Sequence, residues 1–330
     1  RPAGPDELPD AVGRLLVGRD PAMLDVYKMI GRVASGRINA LIRGETGTGK
    51  ERVARAIHES SPWADHPFVA VNCAALPEPL LESELFGHVK GAFTGATADR
   101  RGRFASAGSG TVLLDEIGDT TPAFQAKLLR VLEGGEFTPV GGDVPRHTGA
   151  RVLAATHRDL EAAVRAGSFR TDLYYRLRVV ELRLPPLRDR LGDLPALARH
   201  LLDRAVRTTD QTPAILTDEA LQRLLAHSWP GNVRELDHCL TRALVLATGG
   251  VIRPEHLALD RPKLDETAAA DSSNSPEQRS LGTFPTLEEL EGRHLQRALA
   301  LTRGNKTRAA ELLGISKPRL YRMLERHGHR

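Results

Sequence analysis

Closely spaced glycines and a lysine make GETGTGKE, residues 44–51, the segment best suited to bind a phosphate. It stands between an apolar run, INALI, which predicts a strand, and ERVARAIHE, whose periodicity predicts a helix. In this context glycines let the backbone turn its N–H groups inward around a phosphate, and the helix N-terminus adds its positive dipole end. Lys50 could then reach the outer phosphates. The pattern predicts a P-loop, and a tight glycine turn is the alternative.

One residue of this segment departs from the general P-loop pattern. Glu51 follows Lys50 at the position where Ser or Thr usually touches the magnesium ion. The loop residues that we expect to bind ATP are Gly44, Glu45, Thr46, Gly47, Thr48, Gly49, Lys50 and Glu51.

A second segment, GTVLLDEIGD (residues 110–119), ends an apolar run with two adjacent carboxylates. At the end of a strand in a parallel sheet, Asp115 and Glu116 would lie at the edge where such sheets bind ligands. One acid, Asp115, could hold Mg²⁺ through water, and Glu116 could polarise an attacking water. The two acids could instead belong to a solvated turn. With the P-loop upstream, they favour hydrolysis of a nucleoside triphosphate over nucleotide binding alone.

The elements that must position these residues are short strands alternating with helices. Runs that predict strands are INALI (38–42), FVAVNCA (68–74), TVLLDEI (111–117), RVLAAT (151–156) and VVELRL (179–184). This alternation predicts an α/β fold, a parallel sheet with helices on both faces. Residues 186–260 lack strand runs and show helical patterns divided by WPGN at 229–232.

The predicted organisation has five parts. They are an N-terminal linker (1–14), an α/β core (15–185), a small helical domain (186–260), a polar linker (261–284) and a basic helical tail (285–330). The opening RPAGPDELPD looks like a linker cut from something longer.

Composition and charge narrow the class of protein. The chain has 330 residues, 41% hydrophobic and 27% charged, and no apolar run approaches the ~18 residues that a membrane span needs. Cys73 and Cys239 lie far apart, which fits a reducing cytoplasm, without a disulfide framework. Residues 281–330 carry a net charge of +5 and the rest −1, so the tail is expected to bind nucleic acid.

The tail has the pattern of a helix-turn-helix. A helix with an apolar face is predicted over 287–302, and a turn at Gly314–Ile315 separates two shorter helices. The second of these is predicted to be capped by Ser316 and to read the major groove, with a solvated basic helix as the alternative. The residues expected to contact DNA are Ser316, Lys317, Arg319, Tyr321, Arg322 and Arg326.

Seven motifs together resemble the bacterial enhancer-binding proteins, AAA+ ATPases that activate RNA polymerase carrying the sigma-54 factor. The motifs are GETGTGKE, VNCAAL, ELFGHVKGAFTGA, GTVLLDEIGD, FRTDLYYRL, LPPLRDR and WPGNVREL. The resemblance covers residues 15–260, as an AAA+ core with its helical lid, and the tail resembles a Fis-type helix-turn-helix. It implies a cytoplasmic homo-oligomer, from dimer to hexameric ring, that binds enhancer DNA, ATP and Mg²⁺ and has no membrane partner. Glu51 after the P-loop lysine is also usual in this family.

The segment GAFTGA is the most specific of these motifs. In the family it tips a loop that contacts the sigma factor, which implies contact roles for Gly91, Ala92, Phe93, Thr94, Gly95 and Ala96. A plain glycine-rich surface hairpin is the alternative. An aromatic residue exposed between glycines is typical of a binding hot spot.

Further roles follow from the resemblance alone. Asn72 would hold Glu116 away from water until ATP is sensed, or would merely cap a turn. Arg170 and Arg176 would reach into the neighbouring subunit's site as arginine fingers, or would form surface salt bridges such as one with Asp172.

The resemblance also implies two contacts from the lid and the N-terminal segment. Arg234 would be the sensor arginine of the lid, with a plain surface arginine as the alternative, and Val17 and Gly18 would line the adenine pocket. The sensor strand ends AATHRDL, so that His157 stands where the family usually has Asn. An imidazole can still donate one hydrogen bond, which predicts altered coupling to the γ-phosphate.

Two other functions compete with sigma-54 activation. A DNA-binding regulator could use nucleotide only as an assembly switch, which Glu116 and Arg170 argue against. A helicase or protein unfoldase would leave GAFTGA without a role.

Overall fold

The computed structural model describes residues 13, 15–209, 213–259, 295, 302 and 305–326. The chain divides into two compact units, Arg1–Asp260 and Arg261–Arg330. Among the described residues, no helix is both long and apolar enough to cross a membrane.

The first unit begins with an α/β core. Its helices are α1 (Pro21–Ala34), α2 (Lys50–Glu59), α3 (Glu78–Phe86), α4 (Arg103–Ala107), α5 (Pro122–Gly134), α6 (Leu160–Arg165) and α7 (Thr171–Leu177). Its strands are β1 (Ala40–Arg43), β2 (Phe68–Asn72), β3 (Gly87–His88), β4 (Arg100–Arg101), β5 (Thr111–Asp115), β6 (Glu136–Phe137), β7 (Arg146–His147), β8 (Arg151–Thr156) and β9 (Val180–Arg183).

Five of these strands form one parallel sheet in the order β2-β5-β8-β1-β9. They are the five strands that the sequence predicts, so the predicted α/β fold is confirmed. Because the strands run parallel, their carboxyl ends meet at one edge, where Asn72 pairs with Asp115 and Arg43 with Thr156. The P-loop and the two adjacent acids are therefore brought to the same edge.

Helices cover both faces of the sheet, as predicted. Successive strand residues point to opposite faces, so Leu114 packs among the side chains of α3 to α7 whereas Leu113 packs against α1 and α2. Phe104 and Phe124 are fully buried on the first of these faces. The two apolar clusters fix the sheet and so the spacing of its strand ends.

Residues 187–209 and 213–259 form a helical subdomain that contains α8 (Leu194–Thr209), α9 (Asp218–Leu225) and α10 (Asn232–Leu246). The prediction that this region lacks strands is wrong in one detail. Two-residue strands β10 (Ile215–Leu216) and β11 (Val251–Ile252) pair in parallel, and two residues are too few to show an alternating pattern. The buried indole of Trp229 anchors the subdomain, donating from Nε1 to the Leu224 carbonyl at 2.9 Å.

The second unit contains α11 (Lys306–Leu312) and α12 (Lys317–Arg326). Gly314 has a φ of +62° between them, which confirms the predicted turn. A small core joins the two helices to Leu295: it consists of Leu295, Ala309, Ala310, Leu320 and Leu324. Of the helix predicted over 287–302, only Leu295 and Thr302 are among the described residues.

Both cysteines are free and buried. Burial raises the pKa of Cys73 to about 12 and that of Cys239 to about 11. Both thiols are therefore protonated near neutral pH.

Candidate functional site

The predicted P-loop connects β1 to α2. Gly47 and Gly49 have φ values of +81° and +103°, in the left-handed region that glycine adopts most readily. Lys50, the first residue of α2, is buried, and its ammonium donates to the carbonyls of Gly44 at 3.0 Å and Glu45 at 3.4 Å. The loop thus combines a turned backbone, a helix N-terminus and a cation, which suits a phosphate.

A cavity of about 250 Å³ opens beside the loop. Ten of the residues predicted to bind ATP or catalyse line it: Val17, Thr46, Gly47, Thr48, Gly49, Lys50, Glu51, Asp115, Glu116 and Arg234. Gly18, Gly44 and Glu45, also predicted to bind ATP, are not among the described residues that line it.

Gly18 instead supports the cavity wall from behind. A Cβ on Gly18 would lie 2.2 Å from the Asp193 carboxylate, so only glycine fits. Oδ1 of Asp193 accepts hydrogen bonds from the backbone N–H groups of Arg19 and Asp20, at 2.6 and 2.8 Å. Asp193 therefore holds the segment that carries Val17 against the cavity.

Sequence reasoning missed several residues of the cavity. One face of α8 lines the cavity with Leu197, His200, Leu201 and Arg204. The other residues that were missed include Arg52, Arg190 and Asp237. The i, i+3, i+4, i+7 spacing on α8 was visible but reads equally well as a core face. Arg190, buried to 4% exposure, donates to the P-loop carbonyl of Thr48 at 3.1 Å.

Glu116 is held at both carboxylate oxygens. Oε1 lies 3.3 Å from Nζ of Lys50, and Oε2 lies 2.7 Å from Nδ1 of His157. Burial alone would raise the pKa of Glu116, but the hydrogen bond from His157 and the charge of Lys50 outweigh it and hold the pKa below its ordinary value. Glu116 is therefore ionised, as a group that accepts a proton from water must be.

Asp115 ends β5 inside the cavity. Burial, and then the charge of Glu116, raise its pKa above the ordinary value, although Lys50 opposes the shift. Two neighbouring carboxylates repel each other, and a cation at Asp115 would relieve that repulsion. The oxygen donors and their charge fit Mg²⁺, which prefers carboxylates and water.

Asn72 caps a turn in this structure. Its Oδ1 accepts hydrogen bonds from the backbone N–H groups of Ala74 and Ala75, at 2.9 and 3.1 Å. No hydrogen bond joins it to Glu116 within the part of the chain that the structure describes. Its role as the residue that holds Glu116 stays a prediction.

The two predicted finger arginines lie on the surface, outside the residues that line this chain's own cavity. Arg170 forms a two-pronged pair with Asp172, at 3.1 and 2.7 Å, as the alternative prediction expected. Nε of Arg176 donates to the Leu132 carbonyl at 3.1 Å. Their action on a neighbouring subunit stays a prediction.

The helical subdomain is tied to the P-loop through Asn232. This residue is fully buried with a φ of +53°, and its Oδ1 accepts the Leu187 N–H at 2.8 Å. Its Nδ2 donates at 3.1 Å both to the Thr46 carbonyl and to the Glu45 carboxylate. Arg188 pairs with the same carboxylate. Glu45 thus serves the junction and not the cavity.

Arg234 lies at the same junction. Its backbone N–H donates to the Gly47 carbonyl at 3.3 Å, and its side chain lines the cavity. A Cβ on Gly47 would lie 2.3 Å from the Gly231 carbonyl oxygen. The loop and the subdomain therefore touch where only glycine fits.

The GAFTGA segment forms a compact turn above the β3–β4 hairpin. Gly91 and Gly95 have φ values of +83° and +105°, and the Gly91 N–H donates to the Ala96 carbonyl at 2.9 Å. Phe93 is 38% exposed because its ring packs edge-on against His88, with centroids 5.0 Å apart. Other members of the motif lie in the same turn: Ala92 is half-buried and Thr94 is exposed.

Most of the side chains predicted to contact DNA are exposed to solvent in the second unit. Ser316, Lys317, Arg319, Tyr321 and Arg322 are exposed at or beyond the start of α12. Nζ of Lys306 lies 5.3 Å from the centre of the Tyr321 ring. The side chain of Arg326 lies outside the described residues.

Comparison with known proteins identifies the family. Residues 16–183 match the model of the Sigma-54 interaction domain, residues 188–274 the AAA+ ATPase lid domain and residues 286–327 the Bacterial regulatory protein, Fis family. The chain belongs to the sigma-54-dependent enhancer-binding activators. Sigma-54 interaction domains are AAA+ ATPases.

Named relatives agree with this assignment. The Nif-specific regulatory protein of Azotobacter vinelandii is 53% identical over 245 residues, which are 74% of this chain and 47% of that protein. The transcriptional regulatory protein ZraR of Escherichia coli (strain K12) is 46% identical over 311 residues, 94% of this chain and 68% of that protein. The chain thus spans just under half of the first relative.

The fold agrees with that of a solved bacterial protein. The crystal structure of NtrX from Brucella abortus in complex with ATP has a TM-score of 0.73 and 32% identity, covering 95% of this chain and 69% of that one. Its complex with ADP matches with the same TM-score at 31% identity.

The Asn232 junction generates a prediction about stability. Asn232→Gly keeps the left-handed backbone accessible but leaves the buried Leu187 N–H without an acceptor, which should lower the free energy of unfolding by about 1–3 kcal/mol. Urea denaturation followed by circular dichroism measures the change. Asn39→Gly, which removes an amide bonded only at 3.4 Å, is the control. Equal losses of stability in the two variants would contradict the stabilising role assigned to the Asn232 side chain.

Proposed function

We propose that this chain is an ATP-driven transcriptional activator that binds enhancer DNA and remodels the closed promoter complex of sigma-54 RNA polymerase. The observation that carries the proposal is the convergence of Lys50, Asp115 and Glu116 on one cavity beside the P-loop. Two carboxylates at the end of β5 and one ammonium at the start of α2 suit hydrolysis of a nucleoside triphosphate.

The proposed reaction assigns a role to each of these side chains. Lys50 would move from its resting carbonyl contacts to the outer phosphates. Asp115 would hold Mg²⁺ through water, and that ion would neutralise charge on the phosphates. Glu116, ionised in the resting site, would orient a water and take its proton.

We propose that the complete site forms only between subunits of a ring. Arg170 and Arg176 are exposed and lie outside the cavity of their own chain, so they are free to approach a neighbour's phosphates. The Arg170–Asp172 pair would have to open first, at small cost because both side chains are more than 40% exposed. An arginine supplied in this way stabilises charge on the transferred phosphoryl group.

Phe93 and Thr94 are proposed to contact the sigma factor. Phe93 stands at the tip of the β3–β4 hairpin, where its partly exposed ring could be buried by a partner. The hairpin is braced by Val140, which exchanges backbone hydrogen bonds with Gly87 and Val89 at 2.9 and 3.1 Å. A rigid base under an apolar tip suits the transmission of force.

The domain boundaries are proposed as 15–185 for the core, 186–260 for the lid and 285–330 for the DNA-binding tail, with linkers at 1–14 and 261–284. The division into units at Asp260 supports the end of the lid, and the matches over 16–183 and 286–327 support the core and the tail. The lid match starts at 188, near the proposed boundary, and runs on to 274, into the proposed linker. A second candidate function, a DNA-binding regulator that uses nucleotide only for assembly, gives no role to Glu116.

The hydrolysis proposal predicts the behaviour of Glu116→Gln. The variant should bind an ATP analogue with unchanged affinity but lose turnover by about 100-fold or more, because an amide cannot accept the proton. Steady-state ATPase and fluorescent-analogue titration measure the two quantities. Glu133→Gln, the same change on α5, should leave both unaltered. Undiminished turnover in the Glu116 variant would remove it from this role.

The loop proposal predicts that two exposed threonines behave differently. Thr94→Ala should hydrolyse ATP at a near-normal rate yet fail to activate transcription from a sigma-54 promoter in a purified system. Thr97→Ala, equally exposed just beyond the motif, should retain both activities. Activation by the Thr94 variant at the wild-type level would show that the loop does not couple hydrolysis to the sigma factor.

The DNA proposal predicts the effect of Arg319→Ala in the full chain. Affinity for duplexes selected from a random pool by the wild-type protein should fall about tenfold or more, in line with the loss of one specific contact. Fluorescence anisotropy at several salt concentrations separates phosphate from base contacts. Arg199→Ala, which removes an exposed charge from α8, is the control. The same weakening in both variants would indicate an effect of net charge alone.

A further inference from the structure

The cavity beside the P-loop has two walls of different chemical character. The P-loop, residues 44–51, contributes a turned backbone and the ammonium of Lys50. Val17, together with Leu197 and Leu201 of α8, contributes an apolar wall. The first wall suits phosphates, and the second suits a flat base, because ligand pockets hold ring systems mainly through apolar side chains.

Two charged residues that support these walls stand on one short turn. The Asp193 N–H donates to the Arg190 carbonyl at 3.0 Å, next to a 3₁₀ turn at Leu191–Asp193. Both side chains are buried, with exposures of 4% for Arg190 and 3% for Asp193. The turn leads directly into α8, whose first residue is Leu194. Arg190 and Asp193 are therefore fixed relative to each other and to the helix that lines the cavity.

Arg190 holds the phosphate wall. Its Nη2 donates to the Thr48 carbonyl at 3.1 Å, and its Nη1 contacts Met23 Sδ at 3.2 Å. The Thr48 carbonyl and the Gly49 N–H belong to the same planar peptide group and point in opposite directions. By holding the carbonyl, Arg190 thus also fixes the direction of an N–H group in the P-loop.

Asp193 holds the apolar wall. Its Oδ1 accepts hydrogen bonds from the N–H groups of Arg19 and Asp20, at 2.6 and 2.8 Å. Gly18 packs so closely on this carboxylate that a Cβ would not fit. Three consecutive residues after Val17 are therefore set by one side chain.

The two opposite charges do not form an ion pair with each other among the residues that the structure describes. Burial lowers the pKa of Arg190, and the nearby charge of Asp193 opposes that shift. Nε of Arg190 and Oδ2 of Asp193 are both buried there without a hydrogen-bond partner. Buried charged groups with unmet hydrogen bonds are costly. A mutual pair would lower this cost, yet each side chain contacts a different loop of the cavity.

We propose that Arg190 and Asp193 are positioning residues for the two ends of the nucleotide. Arg190 acts on the phosphates through the P-loop, and Asp193 acts on the base through residues 17–20. Because both stand at the start of α8, any movement of that helix would reach the two walls together. The inference rests on the proposed function, which makes the ligand a nucleoside triphosphate.

Inorganic tripolyphosphate and adenosine measure the two ends of the ligand separately. Arg190→Met keeps a long unbranched side chain but has no N–H donor. It should weaken tripolyphosphate binding about tenfold or more, as the loss of a hydrogen bond from a charged donor does, and leave adenosine binding within about twofold. Calorimetry measures the first affinity, and saturation-transfer NMR measures the second.

A second buried arginine provides the matched control. Arg151 is as deeply buried as Arg190 and also donates to backbone carbonyls, those of Val33 at 2.7 Å and Ile38 at 2.9 Å. It begins β8, at the end of the strand away from the P-loop, and is not among the described residues that line the cavity. Arg151→Met should lower thermal stability but neither affinity. Equal losses of tripolyphosphate affinity in the two Met variants would overturn the inference.

Asp193 should show the opposite division. Asp193→Ala leaves the N–H groups of Arg19 and Asp20 without their acceptor, and it should weaken adenosine binding between about 3- and 10-fold, with a smaller effect on tripolyphosphate. Asp193→Asn should restore adenosine binding, because the amide oxygen still accepts both hydrogen bonds. An Asn variant as weak as the Ala variant would overturn the role of Asp193.

The remaining outcomes are also decisive. Equal losses of both ligands in Arg190→Met, or no loss of either, would overturn the inference. Should that variant not fold, Arg190→Lys, which keeps the charge but cannot make both contacts, must show the same division with a smaller loss. A wild-type protein that binds both ligands but does not hydrolyse ATP would contradict the proposed function and leave the positioning roles intact.

Discussion

The parallel pairing of β5, β8 and β1 is the constraint on which the site depends. These strands are neighbours in the sheet, and each delivers one essential group just beyond its carboxyl end. Lys50 follows β1, Glu116 follows β5, and His157 follows β8, the strand between them. Because β8 is hydrogen-bonded on both sides, its end is the fixed point against which the other two groups are set.

The helical subdomain adds a second constraint, since it closes the cavity without belonging to the sheet. It meets the P-loop through backbone atoms and one buried amide at Gly47, Gly231 and Asn232. The guanidinium groups of Arg188 and Arg190 add hydrogen bonds to Glu45 and Thr48 of the same loop. Contacts of this kind do not tolerate extra atoms, so the loop and the subdomain must adjust together. A nucleotide that changes the shape of the loop would therefore also move α8 and the residues that it contributes to the cavity.

The sequence predicted the parts of this arrangement that local patterns encode. The five strands, the P-loop and the acids after β5 all have characteristic residues within a few positions of one another. The contact between His157 and Glu116 was not predicted, because it joins residues on different strands and depends on sheet order. Asn232 and Asp193 were missed for a similar reason: a buried polar side chain looks like a surface one until its partners are known. The small strands β10 and β11 were too short to leave a pattern.

The positive φ angles of Gly91 and Gly95 bear on how the GAFTGA motif can evolve. Any other residue at these two positions would raise the conformational energy of the backbone, whether or not the loop has a partner. Their persistence among relatives would therefore reveal only the shape of the turn. Phe93 and Thr94 do not have a positive φ, so the backbone does not dictate the residue type at either position. Conservation of these two residues would therefore reflect selection by a binding partner.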